Sequence, residues 1–214
     1  VYKRQGLGWV RKISKIGATV GTIIPAGLLI LFGIIYLATG GHNNMDMSQG
    51  FFPDLSNFNN LVLASSIFLF YAGMEMSGIH VMDVKEPASK NYPKAIFIGA
   101  IIIVLIFILG TFALGLIIPA KEINLTQSLL VGLDNYLAYL HLHWASPIIA
   151  IALMFGVLAG VLTWVAGPSK GIFTVGKAGY LPPFFQKTNK IGVQKNILIV
   201  QGCIVTLLSL LFVV

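Results

Sequence analysis

Cysteine is nearly absent from this chain: Cys203 is the only one among 214 residues. A single thiol excludes an internal disulfide framework and any zinc site built on cysteine pairs. Charge is scarce too. Asp, Glu, Lys and Arg together make up 10% of the residues, where a soluble domain carries roughly 25%. Apolar residues reach 57% and the mean hydropathy is +0.87. A chain with so little charge cannot cover a water-soluble surface, so the bilayer is its solvent. No glycine-rich phosphate loop occurs, and direct ATP drive is unsupported. The net charge of +7 would suit nucleic acid on its own. Its distribution along the chain says otherwise.

What is present is a series of long apolar runs. Residues 16–39 and 95–118 are each 24 residues without a charge, and ~20 suffice to cross the ~30 Å hydrocarbon core. Five spans are expected, at about 16–39, 61–82, 95–118, 147–166 and 196–214, within a single transmembrane region covering 1–214. Pro25 is expected to kink the first, because it lacks a backbone donor and crowds the preceding turn. Leu129, Leu130, Leu133, Leu137 and Leu140 recur at helical spacing, which predicts a short outer-surface helix at about 127–140. Val1 stands where a Met would, and the run ending at Val214 is still apolar. A piece of a larger polytopic protein, without a signal peptide, is therefore expected.

Basic residues fall on alternate connections. The lead-in carries Lys3, Arg4, Arg11, Lys12 and Lys15; the second-to-third connection carries Lys85, Lys90 and Lys94. The fourth-to-fifth carries Lys170, Lys177, Lys187, Lys190 and Lys195, and only Lys121 lies elsewhere. This asymmetry places 1–15, 83–94 and 169–195 on the cytoplasmic side of a bacterial inner (plasma) membrane. It also accounts for the positive charge without nucleic acid.

The second span is interrupted. After an apolar start at Leu61 come Tyr71, Gly73, Glu75, Ser77 and Gly78, with His80 beyond. A carboxylate at mid-membrane depth costs at least ~2.5 kcal/mol, and unwound backbone there must line protein or water. A helix broken near 71–78 is how many transporters build a substrate site. The glycines equally suit a bent helix with a tight crossing. His141 and His143 lack acidic or cysteine neighbours, so neither a metal nor another cofactor is expected.

Several runs resemble a known family. Phe70-Tyr71-Ala72-Gly73-Met74-Glu75 with Pro87 and Tyr92-Pro93 is similar to the broken sixth helix and following loop of amino acid–polyamine–organocation permeases. Gly167-Pro168-Ser169-Lys170-Gly171, Gly179-Tyr180-Leu181-Pro182-Pro183-Phe184-Phe185 and Asn189-Lys190-Ile191-Gly192-Val193 resemble the loop after their eighth helix. His80 after the Tyr-Ala-Gly-Met-Glu run, Pro119 with Glu122-Ile123-Asn124-Leu125, and Trp164 before Gly-Pro-Ser look most like the bacterial glutamate/γ-aminobutyrate antiporters. Gly160 departs from that group, which carries an acid four places before the tryptophan; Gln194 stands where proline is usual.

The resemblance covers nearly the whole chain. It implies an all-α integral membrane protein, part of an inverted-repeat (5+5) twelve-helix fold, represented here by about helices 5–9. It further implies secondary active amino acid antiport by alternating access, of the glutamate/γ-aminobutyrate type and linked to acid resistance, and not an enzyme. The partners implied are an amino acid substrate, the lipid bilayer and the remainder of the transporter. Another permease of the superfamily, or a transport-inactive amino acid sensor, is the alternative. Tyr71, Ala72, Gly73, Met74, Glu75 and Trp164 are the candidate substrate contacts. Glu75 is either a proton carrier or a structural carboxylate, and His80 either a pH sensor or a solvated interfacial residue. Trp164 either closes over substrate or anchors its helix at the headgroups.

Overall fold

The computed structural model describes residues 7–45, 54, 56–71, 73–74, 77–78, 81, 84, 87–124, 127–190 and 192–211. Among them there are helices and turns and no β-strand. The helices are α1 (Leu7–Ala18), α2 (Ile24–Ala38), α3 (Phe58–Tyr71), α4 (Ala88–Ile117), α5 (Ser128–Tyr139), α6 (Ser146–Val175) and α7 (Lys195–Leu210). Three helical stretches, Lys12–Ala38, Ala88–Ile117 and His143–Tyr180, are long and apolar enough to cross a membrane. The apolar helix Lys195–Leu210 is shorter, and α3 has 14 residues. Helices dominate because hydrocarbon offers no hydrogen-bond partner, so each spanning segment must satisfy its own backbone.

Between α1 and α2 the chain widens into a π-helical turn, Thr19–Ile23. Pro25 follows directly and has no N–H for the carbonyl of Gly21, four residues back. A wider turn bonds its carbonyls one residue further along and bypasses the missing donor. Pro93 and Pro168 also lack an N–H for the preceding turn, yet lie inside α4 and α6, which stay α-helical around them.

The chain divides into two compact units, one of Val1–Gly21 and Met154–Val214, the other of Thr22–Leu153. In the second unit, Leu29, Phe32 and Tyr36 of α2 meet Ala113 and Leu116 of α4 and Leu133, Tyr136 and Leu137 of α5, with Ile149 of α6. α2, α4 and α5 each contribute residues three or four apart, which share one face. Gly33 brings α2 close to α4: a Cβ there would lie 2.9 Å from the Cβ of Ala113.

The ends of α2 and α5 are closed alike. At α2, Gly40 takes φ +79° and the Gly41 N–H bonds the Tyr36 carbonyl at 2.8 Å. At α5, His141 takes φ +59° and the Leu142 N–H bonds the Leu137 carbonyl at 2.7 Å. Both are the left-handed cap that satisfies carbonyls a helix end leaves open. Asn44 serves the end of α4, its side-chain amide donating to the Leu116 carbonyl at 3.0 Å.

The first unit is built on small residues. A Cβ on Gly17 would overlap the Cβ of Ala159, and one on Gly156 would overlap the backbone of Gly21. The Thr163 hydroxyl, bonded to the Ala159 carbonyl at 2.8 Å, also reaches the Ser14 hydroxyl at 3.0 Å. Ser14, Gly17 and Gly21 thus meet Thr163, Ala159 and Gly156 in reversed order, an antiparallel small-residue seam of the kind that joins membrane helices. Gly160 stands off the seam, with nothing within 4 Å of a Cβ there.

Candidate functional site

α3 ends at Tyr71, and two residues later Gly73 takes φ +101°. That backbone region is open to glycine and strained for residues with a Cβ. Beyond it, Met74, Ser77 and Gly78 adopt tight 3₁₀ turns. The helical hydrogen-bond ladder therefore stops inside the apolar stretch that begins at Leu61. A helix end leaves its last four carbonyls without intrahelical donors, and the same end carries about half a negative charge. Such an end can receive an ammonium group.

The turn after the break is tied to α4. The Ser77 hydroxyl donates to the Met74 carbonyl at 2.6 Å and lies 3.0 Å from the Tyr92 hydroxyl. Beside this pair, Met74, Tyr92, Pro93, Ile96, Phe97 and Ala100 line an open apolar groove of about 520 Å³. Tyr92 belongs to the first turns of α4, a helix that extends upstream of its apolar run and takes in Lys90, Asn91 and Pro93.

Trp164 lies on α6 in the first unit and is 57% exposed. Four residues on, Pro168 has no N–H to offer the Trp164 carbonyl. The next residue, Ser169, is buried, and its hydroxyl donates to the Ala166 carbonyl at 3.0 Å.

Gly73 and Met74 are thus brought together with Ser77 and Tyr92. Ala72, Glu75 and His80 lie outside the described residues, and Tyr71 is described as the last residue of α3. The Ser77–Tyr92 pairing was not foreseen from the sequence. Both residues stood out there, Ser77 as a polar residue in the break and Tyr92 beside Pro93. Nothing in their spacing of fifteen signals a contact.

A family profile described as amino acid permease matches residues 4–214. The chain belongs to the amino acid permease family. It is 35% identical over 201 residues to the glutamate/gamma-aminobutyrate antiporter of Lactococcus lactis subsp. cremoris, an alignment covering 92% of this chain and 39% of that protein. To an uncharacterized transporter of Legionella pneumophila it is 32% identical over 201 residues, covering 94% of this chain and 43% of the relative. An arginine/ornithine antiporter of Latilactobacillus sakei is 22% identical over 180 residues, 80% of this chain and 36% of its own length. The chain spans about two-fifths of the length of the curated relatives it matches. With its long apolar helices, this permease chain is a multi-pass membrane protein of a transporter family, not of an enzyme family.

Proposed function

We propose that this chain forms part of a secondary active antiporter that exchanges amino acids by alternating access, with glutamate and γ-aminobutyrate as the substrate pair. The observation that carries the reading is the end of α3 at Tyr71 followed by Gly73 at φ +101°, within an apolar segment of a permease. Similarity to a glutamate/gamma-aminobutyrate antiporter supports the substrate class. In this reading the backbone at Tyr71, Ala72, Gly73 and Met74 receives the α-ammonium and α-carboxylate of the substrate. Glu75 carries a proton, and His80 tunes the response to pH. Trp164 of α6 is a further candidate contact for the amino acid.

The protein lies in the bacterial inner membrane with 1–15, 83–94 and 169–195 on the cytoplasmic side, following the lysine and arginine distribution. The remainder of the transporter completes the inverted-repeat fold and supplies the other wall of the site.

The test is exchange in proteoliposomes holding the whole protein and loaded with γ-aminobutyrate. Labelled external glutamate is expected to accumulate inside between pH 5 and 7, and not in liposomes without internal substrate. No accumulation under either condition overturns the substrate assignment. A second experiment addresses Glu75: Glu75→Gln is expected to flatten the pH profile of exchange, and an unchanged profile removes Glu75 from proton coupling.

A further inference from the structure

The hydroxyls of Tyr92 and Ser77 form a relay whose direction follows from counting hydrogens. A serine hydroxyl carries one hydrogen. In Ser77 that hydrogen goes to the Met74 carbonyl, 2.6 Å away. At the 3.0 Å contact with Tyr92 Ser77 can therefore only accept, and the phenol must donate. The chain of donors runs from Tyr92 through Ser77 to the Met74 carbonyl, each bond polarising the next. The phenol passes beside Gly78, its oxygen 3.7 Å from where a Cβ would stand, an ordinary van der Waals distance. Below it, Tyr92 and Met74 share the apolar groove with Pro93, Ile96, Phe97 and Ala100. The turn is thus fastened to α4 by a polar relay and by apolar contact.

We infer that Tyr92 is a positioning residue: its hydroxyl, acting through Ser77, holds the turn after the break on α4 and so fixes Gly73 and Met74 where they meet substrate. The inference rests on the reading of the break as the substrate site. Physical reasons favour a dedicated fastening here. Gly73 at φ +101° is a flexible joint that costs more conformational entropy to fix than any other residue type. The ladder that would fix Met74 ends at Tyr71. A relay to a continuous 30-residue helix replaces the missing helical bonds. The Ser77 hydroxyl also gives the Met74 carbonyl a defined direction.

The test uses the whole protein with Tyr92→Phe, Ser77→Ala and the double variant. Phenylalanine keeps the ring in the groove and removes only the relay. Two readouts are needed. Amide hydrogen exchange across 73–81 without substrate is expected to quicken about three- to tenfold in each single variant, the range one neutral hydrogen bond spans. In proteoliposomes KM for external glutamate is expected to rise by a similar factor with kcat little changed. The double variant should be no worse than either single one, because both break the same relay. Ser77→Thr, which keeps a hydroxyl, should restore both readouts.

Unchanged exchange across 73–81 in both single variants overturns the inference, whatever transport does. Quickened exchange with an unchanged KM overturns the positioning role. Quickened exchange in a protein whose unsubstituted form moves no amino acid retains the fastening and overturns the substrate reading instead. Additive losses in the double variant also overturn the relay.

Discussion

The Tyr136 hydroxyl donates to the carbonyl of Ala113 at 2.5 Å, joining α5 to α4 across the core of the second unit. Tyr136 is fully buried and Ala113 is 3% exposed. The Tyr136 ring meets Tyr36 edge-on with centroids 5.6 Å apart, and Phe32 at 6.4 Å. One side chain thus contacts α2 and α4 from α5. Tyr136→Phe keeps the ring and is expected to cost about 1 kcal/mol, the net worth of a buried hydrogen bond. Tyr136→Ala opens a cavity and is expected to cost about 3–5 kcal/mol. Thermal melting of the detergent-solubilised protein, read for both variants side by side, checks the ordering.

Burial pushes the Tyr136 phenol up from its ordinary 10 to about 12, with neighbouring Tyr36 adding to the rise. The sign of the consequence follows from linkage. Below pH 10 the phenol is protonated folded and unfolded alike, so its contribution is fully present. Between 10 and about 12 the unfolded chain ionises first, and stability is lost as pH rises through that window. Melting followed from pH 8 to 12 should therefore fall more steeply at the alkaline end in the unsubstituted protein than in Tyr136→Phe. Parallel curves contradict the assignment.

Gly156 and Gly160 of α6 should respond in opposite ways. Gly156 lies against the backbone of Gly21, whereas a Cβ at Gly160 meets nothing within 4 Å. Gly156→Ala is expected to part the seam or to cost about 1–3 kcal/mol as overpacking does. Gly160→Ala should be neutral or stabilising by up to about 1 kcal/mol, since alanine is the better helix former. Folded yield and melting temperature of the two variants decide it.

Gly73 and Gly99 make a second matched pair. Gly73 sits at φ +101°, and Gly99 is an ordinary helical residue of α4 with open space around it. Gly73→Ala is expected to cost about 1–2 kcal/mol in backbone strain and to cut exchange of amino acids sharply. Gly99→Ala should leave exchange near its starting rate. Equal rates in the two variants remove the special conformation from the mechanism.

The all-helical, membrane-embedded character was legible because it rests on composition and on run length, which the bilayer reads directly. The leucine spacing that predicts a helix at about 127–140 works through periodicity in the same way. Leu133 and Leu137, picked out by spacing, are core residues of α5, and that helix spans Ser128–Tyr139. Helix lengths were less so. α4 takes in Lys90, Asn91 and Tyr92 ahead of its apolar run, because a helix extends past hydrocarbon wherever capping and local bonds sustain it. Pro168 lies within α6 although its ring disfavours a helix interior, since lost bonds cost less than unwinding the whole segment.

At the site, glycines at a polar interruption point to a break, and the residue types were enough to suggest one. The relay from Tyr92 to Met74 was not legible. It depends on where α4 starts and how the turn folds back, which no local pattern encodes. The seam partner of Gly156 was hidden likewise, since Gly21 is fixed by the crossing of two helices and not by either sequence alone.

The most direct measurement of the central claim is amide hydrogen exchange across residues 71–78 of the whole protein, with and without saturating glutamate. A substrate held by the backbone of the break should slow exchange there by an order of magnitude or so while leaving the middle of α4 untouched, following the coupling of ligand binding to local opening. Bound glutamate that leaves 71–78 exchanging at its original rate contradicts the account.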